Sequence, residues 1–287
     1  MLKASVSLLI ALLVYSFACT AETAPSAGQQ TAQAFVRQVL DNELNAENND
    51  HSHWMLRLDE EKPGNQQVYE VVETKAGDLK RLLSVNGRPL SPEQERQQSQ
   101  RIQELVNHPE ELKNSHRQKS QDMDRSQRML KTIPDAFLFE YGERQGDLVQ
   151  VKFKPNPQFR PPSHEAAVFH AMEGTMWLDA KQKRLAEISG QLMHPVKFAG
   201  GLLGHLDAGG RFHVKQEEVE PGYWEMTQLN VAMRGKALFF KTIAVQEKTS
   251  RTMMRKVPDN LTLAQAANLL NQEVRAANAS KNSPAHQ

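Results

Sequence analysis

The chain has 287 residues, which is enough for one large domain or two small ones with a buried core. Hydrophobic residues make up 39% of it and charged residues 24%, as in ordinary globular proteins. The 35 Lys and Arg residues nearly balance the 34 Asp and Glu residues. The net charge of +1 gives no long-range attraction to nucleic acid or to anionic lipid, so we expect no nucleic-acid partner.

Residues 1–21 have the pattern of a signal peptide. Lys3 supplies a positive charge, an apolar run from Leu8 to Phe17 follows, and small residues come next. The apolar run is about half of the roughly 20 residues that span a bilayer, and no later stretch is comparable. We therefore expect a periplasmic or secreted protein with no transmembrane segment once the signal peptide is removed.

Cys19, the one cysteine of the chain, allows two interpretations. The segment from Ser16 to Cys19 resembles a lipobox, which would lipidate Cys19 and tether the protein to a membrane, but a lipobox has Leu where this sequence has Ser16. Alternatively, the ordinary signal peptidase cleaves after Ala18 or Ala21, since it requires small residues there. In either case the folded part contains no disulfide, which suits an oxidising compartment.

The sequence after the signal peptide predicts a linker, a helix, strands, a helical insert and more strands. Residues 22–30 form the linker, and a domain spans residues 31–257. Its first helix covers residues 31–45, and the insert covers residues 91–132, with a break near His108. Strands are expected at 53–59, 67–74, 79–85, 137–141, 148–153, 167–178, 184–193, 211–219, 222–233 and 236–246, with an edge strand at 250–256. A C-terminal helix is expected within residues 258–276, and a disordered tail at 277–287.

About ten strands joined by short turns, with the helices grouped, predict an α+β fold with an antiparallel sheet. A meander of that many twisted strands curls. We therefore expect a half-barrel whose concave face is covered by the helices.

No catalytic residue, cofactor or metal site is predicted. His51 and His53 would share one face of a strand, but two ligands do not make a metal site. His164 and His170 lack the spacing that places two ligands on one side of a helix.

The predicted ligand-binding residues are apolar side chains of the later strands. Methionine adapts to irregular shapes, so such a set suits an apolar cavity, although each residue could equally belong to a plain core. The candidates are Met172, Met176, Trp177, Leu192, Phe212, Trp224, Met226 and Phe239.

Three short segments carry a family resemblance: Gly174 to Asp179, Leu185 to Ile188, and Gly222 to Met226. Together with the element order, they make residues 31–257 resemble the LolA/LolB-like superfamily of periplasmic lipoprotein carriers, and more closely exported relatives of that group. The resemblance implies a half-barrel that binds acyl chains of a lipid or lipoprotein on an apolar face. No functional residue of the carriers maps onto a matching motif here, and the insert 91–132 departs from them and could fill the cavity.

The sequence therefore predicts a non-enzymatic periplasmic carrier for a lipid-like or acylated ligand, with an envelope protein as a further partner. One alternative is a structural or interaction module of the envelope without a ligand cavity. A second is a hydrolase whose site the sequence does not reveal.

Overall fold

The computed structural model describes residues 30–198, 200, 204–237 and 241–282, and within these the side chains of residues 237, 241–244 and 273–282 are not described. The predicted signal peptide, nearly all of the linker, Cys19 and Phe239 lie outside the described residues.

Four α-helices and thirteen strands are described. The first half contains α1 (Ala32–Asn49), β1 (His53–Lys62), β2 (Asn65–Val72), β3 (Leu79–Val85), β4 (Arg88–Pro89), α2 (Pro92–Asn107), α3 (Glu110–Ala136), β5 (Phe137–Gln145) and β6 (Leu148–Pro155). The second half contains a 3₁₀ helix (Glu165–Ala171), β7 (Met172–Asp179), β8 (Arg184–Leu192), β9 (Val196–Phe198), β10 (Gly204–Leu206), β11 (Arg211–Glu220), β12 (Tyr223–Ala237), β13 (Lys241–Val257) and α4 (Leu263–Asn282).

All thirteen strands belong to one sheet, and its pairings among the described residues are antiparallel. Its main path runs β4-β3-β2-β1-β13-β12-β11-β8-β7-β6-β5, and β9 and β10 join it beside β12. The path ends at β4 and β5, so the sheet is open rather than closed. The predicted α+β class with an antiparallel sheet is confirmed. The strands beyond the expected ten include β4, β9 and β10, which are too short to show an alternating pattern.

Strand β13 corrects a prediction. Residues 250–256 were expected to form an edge strand, but they belong to a long strand in the middle of the sheet, between β1 and β12. Met55 pairs with Arg255, and Ser250 pairs with both Asp59 and Gln228. The prediction was wrong because β1 is almost 200 residues away along the chain, and a pairing over that distance leaves no local pattern.

Local signals do explain the turns and helix starts. Asn86 and Gly87 both have positive φ, 50° and 73°, as a two-residue hairpin turn between twisted strands requires. Ser91 accepts a hydrogen bond from the Gln94 backbone N–H, and the Gln94 side chain accepts one from the Ser91 N–H. This reciprocal pair, with Pro92 in the first turn, starts α2.

One predicted boundary was wrong. The strand expected from Ala167 begins only at Met172, after the 3₁₀ helix, whose Ala166 N–H donates to the Ser163 hydroxyl. The C-terminal helix, expected within residues 258–276, is described as Leu263–Asn282. The disorder predicted for the tail stays a prediction.

The largest core cluster lies between α1, the end of α3 and strands β5 to β8. Val36, Val39 and Met176 are fully buried in it. The α1 carboxylate Glu43 is also buried and forms a bidentate ion pair with Arg184 of β8, with Oε1–Nε at 2.8 Å and Oε2–Nη2 at 3.0 Å. The Leu185 backbone N–H donates to the same carboxylate at 2.6 Å. This pairing fixes α1 on the sheet.

A second cluster attaches α2 and α4 to β1, β2 and β3. Buried Arg81 of β3 connects these elements, because its guanidinium donates to Asn271 of α4 at 3.0 Å and to Ser99 of α2 at 3.1 Å. Leu270 is fully buried beside them. Whether the helices cover a concave face, as the sequence predicts, stays a prediction.

Candidate functional site

A groove of about 900 Å³ crosses seven strands, β5, β6, β7, β8, β11, β12 and β13. It lies on the face of the sheet that points away from α1. Along β5, Phe137 and Phe139 point into the core beneath α1, whereas Leu138 and Glu140 point into the groove. Alternate strand residues face opposite sides, so the polar positions of the later strands come together here.

The floor of the groove depends on two glycines. A Cβ on Gly174 would lie 2.0 Å from the Ser189 carbonyl oxygen, and one on Gly190 would lie 2.7 Å from the Phe212 ring. Only glycine allows β7, β8 and the two neighbouring rings to approach this closely. Both rings pack with the core on the opposite face of the sheet, so the apolar side chains that face the groove are those of Leu138 and Ala232.

Hydroxyl and amide side chains form the central part of the lining. The register places His213 opposite Ser189, and Ser189 opposite Thr175, on three adjacent strands. The hydroxyl oxygens of Ser189 and Thr175 lie 3.2 Å apart and share a hydrogen bond. Three amides complete this lining: Gln191, Asn230 and Gln246.

Charged side chains flank these neutral groups. Lys154 donates to Glu140 at 2.9 Å, and the His213 Nε2 lies 3.0 Å from a Glu187 carboxylate oxygen. The Lys154 contact holds the pKa of Glu140 below its ordinary value. Lys152 and Arg211 also line the groove.

The groove has the residue types of a hydrolase but not their usual connection. In a Ser–His–acid site the histidine accepts the serine proton. Here, within the described residues, the recorded partner of the Ser189 hydroxyl is Thr175, and that of the His213 ring is Glu187. The Ser189 hydroxyl and the His213 ring are therefore each engaged with a different side chain.

The sequence-predicted cavity residues do not come together at one site. Met172, Met176 and Leu192 are buried in the large core cluster. Of the described candidates, Phe212 alone is among the residues that border the groove, and its ring packs against the core.

The remaining described candidates lie elsewhere on the sheet. Trp177 is half-buried on β7, opposite Gln150 and Glu187. The Trp224 indole N–H donates to Gln182 at 2.9 Å, and the Arg184 guanidinium lies 5.6 Å from the Trp224 ring. Met226 is half-buried on β12.

Sequence reasoning missed the polar lining residues. Thr175, Ser189, His213 and Asn230 look like the solvent-facing half of ordinary strands, and nothing in each strand alone distinguishes them. They form one row only when the four strands pair in the observed register, and that register is set by pairing between strands rather than by the sequence of each strand.

A second polar cluster lies near the start of β12, at the end of the strand away from the groove. Burial and the nearby Glu73 carboxylate raise the pKa of Glu225 to about 7, whereas Arg251 lowers it. Lys119 of α3 contacts Glu73 at 3.6 Å and Asp78 at 2.9 Å. This cluster adds charged contacts to the apolar contacts that α3 makes with the sheet.

The described residues show neither a metal-binding cluster nor a membrane-spanning helix. They contain no group of three or more His, Cys, Asp or Glu side chains arranged to hold a metal ion. None of the described helices combines the length and the apolar character needed to cross a membrane.

Comparison with known proteins gives no match. No protein-family model matches the chain. No curated protein and no solved structure matches it either. The resemblance to the lipoprotein carriers therefore rests on the sequence segments and element order described above.

Proposed function

We propose that the protein is a non-enzymatic envelope binding protein that holds a lipid-like amphiphile in the groove on β5 to β13. One observation carries the proposal: a groove of about 900 Å³ combines the apolar side chains of Leu138 and Ala232 with a lining of hydrogen-bonding side chains. Ligand sites in proteins typically measure about 300–1,000 Å³ and combine these two kinds of surface.

The ligand would lie with its apolar part against Leu138 and Ala232 and its polar part against the Ser189 and Thr175 hydroxyls. Burial of each methylene contributes about 0.8 kcal/mol. Micromolar binding corresponds to about 8 kcal/mol, so about ten buried methylenes would suffice before the costs of ordering the ligand. An amphiphile of ordinary chain length meets this requirement.

Native mass spectrometry tests the proposal. The full chain, expressed with its own N-terminal segment and purified from periplasmic and membrane fractions, should carry an extra mass of lipid size that is lost on denaturation. Ala232 is exposed in the groove, so Ala232→Trp should fill the groove and reduce the bound fraction at least tenfold.

Ala76→Trp is the matched control, because Ala76 is an exposed alanine in the turn before β3, outside the groove lining. This variant should retain the ligand. A wild-type chain that carries no extra mass and does not take up a fluorescent fatty acid would refute the proposal.

The second candidate function is a structural or interaction module of the envelope. The observation that favours it is the closed packing of Met172, Met176 and Leu192, which fill a core rather than line a cavity. A bare chain in the same experiment, together with co-purification of one defined envelope protein, would support this alternative.

A further inference from the structure

The charged side chains of the groove balance one another. The basic ones are Lys152, Lys154 and Arg211, and the acidic ones are Glu140 and Glu173 in the lining and Glu187 beside it. With the His213 ring neutral, three positive charges therefore face three negative charges. A surface without net charge gives neither an anionic nor a cationic head group an electrostatic advantage. Selection in this groove therefore depends on hydrogen bonding and on shape.

One row of polar side chains crosses the groove from strand to strand. In the observed register, six adjacent strands place one polar residue each opposite the next: Glu140, Lys152, Thr175, Ser189, His213 and Asn230. All six line the groove. Neighbouring strands are about 4.8 Å apart, so the row spans about 24 Å. A compact phosphate or carboxylate would contact one or two of these positions, whereas an extended head group would contact most of them.

The row offers both donors and acceptors of hydrogen bonds. Glu140 only accepts and Lys152 only donates, while the hydroxyls of Thr175 and Ser189 and the amide of Asn230 do both. Phosphate and carboxylate groups accept, and a quaternary ammonium group neither donates nor accepts, so each would leave part of this lining unmatched. A hydroxyl group donates and accepts at once. Hydroxyl-rich head groups therefore match the lining best, since polar groups left without partners cost binding free energy.

An aromatic ring lies beside the row on the same face of the sheet. Met176 and Leu178 of β7 are buried in the core, so the half-buried Trp177 between them points to the groove side. Trp177 lies opposite Glu187, whose carboxylate contacts His213 of the row. A sugar ring has an apolar face of C–H groups, which packs against an aromatic side chain while its hydroxyls reach polar neighbours.

We infer that the polar part of the ligand is an uncharged saccharide that lies along the row from Glu140 to Asn230, with Trp177 at its side. This inference rests on the proposed function, because it names the head group of the amphiphile that the same groove holds. The hydroxyls of the sugar, rather than a charge, select the ligand.

Isothermal titration calorimetry on the full-length protein tests the inference with four probes. Dodecyl maltoside, dodecyl phosphate and dodecyltrimethylammonium carry the same alkyl chain on a saccharide, an anionic and a cationic head group, and each is used below its critical micelle concentration. Maltose presents the saccharide without the chain. Dodecyl maltoside should bind at least tenfold more tightly than either charged detergent and more tightly than maltose.

Gln191→Ala combined with Asn230→Ala removes two amides from the lining at exposed positions, so the thermal unfolding midpoint should not change. The matched control combines Asn65→Ala with Gln103→Ala, two exposed amides outside the lining. The groove variant should bind dodecyl maltoside at least fivefold more weakly, because each lost hydrogen bond lowers the affinity. The control should change the affinity less than twofold.

Trp177→Leu tests the aromatic contact and should weaken dodecyl maltoside binding at least threefold. Trp224→Leu is its control, because Trp224 is also half-buried but its indole N–H donates to Gln182, outside the groove lining. Equal affinities of the two tryptophan variants would overturn the contact with Trp177.

The outcomes separate the inference from the proposed function. A charged detergent that binds as tightly as dodecyl maltoside, or a groove variant that loses no affinity, would overturn the saccharide inference while the proposed function stands. Failure of all three detergents to bind would overturn both. Maltose that binds as tightly as dodecyl maltoside would support the saccharide and overturn the amphiphile of the proposed function.

Discussion

Glu225 shows how two facing carboxyl groups acquire opposite acid–base behaviour. Burial and Glu73 raise its pKa to about 7. Its partner across the β11–β12 hairpin, Glu217, accepts a hydrogen bond from Lys215 at 2.6 Å, and this contact lowers the pKa of Glu217. The two side chains therefore couple folding to pH in opposite directions.

The pKa of Glu225 predicts a pH-dependent stability. The folded state retains a proton that the unfolded state loses between the ordinary pKa of 4.5 and about pH 7. The free energy of unfolding should therefore fall as the pH rises through this window. Gln mimics the protonated acid, so Glu225→Gln should be more stable than wild type by about 1–3 kcal/mol at pH 8 and nearly equal to it at pH 4.5. Urea denaturation at the two pH values measures the difference.

Glu217→Gln is the control for this measurement. Because its carboxylate is stabilised in the folded state, this substitution should lower or leave unchanged the stability at pH 8. A stabilised Glu217→Gln, or a Glu225→Gln variant with no pH-dependent gain, would contradict the assignment.

At the scale of elements, the β2–β3 turn depends on Gly77. Its φ is +125°, a conformation that side chains rarely adopt. A Cβ at this position would lie 3.0 Å from the Leu112 carbonyl oxygen and 3.1 Å from the Leu112 Cβ, on the first turns of α3. Close approach of this turn to α3 therefore requires glycine.

Gly77→Ala should destabilise the protein by more than the backbone strain alone. Positive φ costs a non-glycine residue about 1–2 kcal/mol, and overpacking adds about 1–3 kcal/mol. Gly64 is the matched control, since its φ is +75° but a Cβ there would meet nothing within 4 Å. Chemical denaturation should show a larger loss for Gly77→Ala than for Gly64→Ala. Equal losses would mean that the turn does not press on α3.

The elements also show what the sequence predicts well. The turn at Asn86 and Gly87 and the capping box at Ser91 are signals contained within four residues, and both occur where the pattern places them. The central position of β13 and the polar row at Ser189 and His213 are properties of strand register. Register arises from pairing between distant segments, so neither feature was visible in the sequence. Of the predicted cavity residues, Met172, Met176 and Leu192 pack in a core.

At the scale of the whole molecule, one continuous sheet connects the separate core clusters. Among the described residues the cluster around Met176 and the cluster around Leu270 share no side chain, but one sheet, through β1, β13 and β12, connects them. Backbone hydrogen bonds link the strands along this path, so unfolding around one cluster should leave unpaired strand edges beside the other. We therefore expect one cooperative transition.

Leu270→Ala tests that cooperativity. Leu270 is fully buried against β1 to β3, and removal of such a side chain costs about 2–5 kcal/mol. Far-UV circular dichroism and tryptophan fluorescence should report the same shifted midpoint, although Trp54 belongs to a different cluster. Met123→Ala, at an exposed position of α3, should leave the midpoint unchanged. Two separate transitions would show that the sheet does not couple the clusters.

The pairing of β1 with β13 also sets the order in which the sheet can be completed as the chain emerges in the N-to-C direction. Residues 53–62 emerge about 180 residues before their partner strand, which spans residues 241–257. Until then β1 and β12 each lack the neighbour that separates them, and two strand edges stay open to the wrong partners. Emergence in this direction therefore passes through an incomplete sheet, and a chaperone that shields strand edges would protect it during that interval.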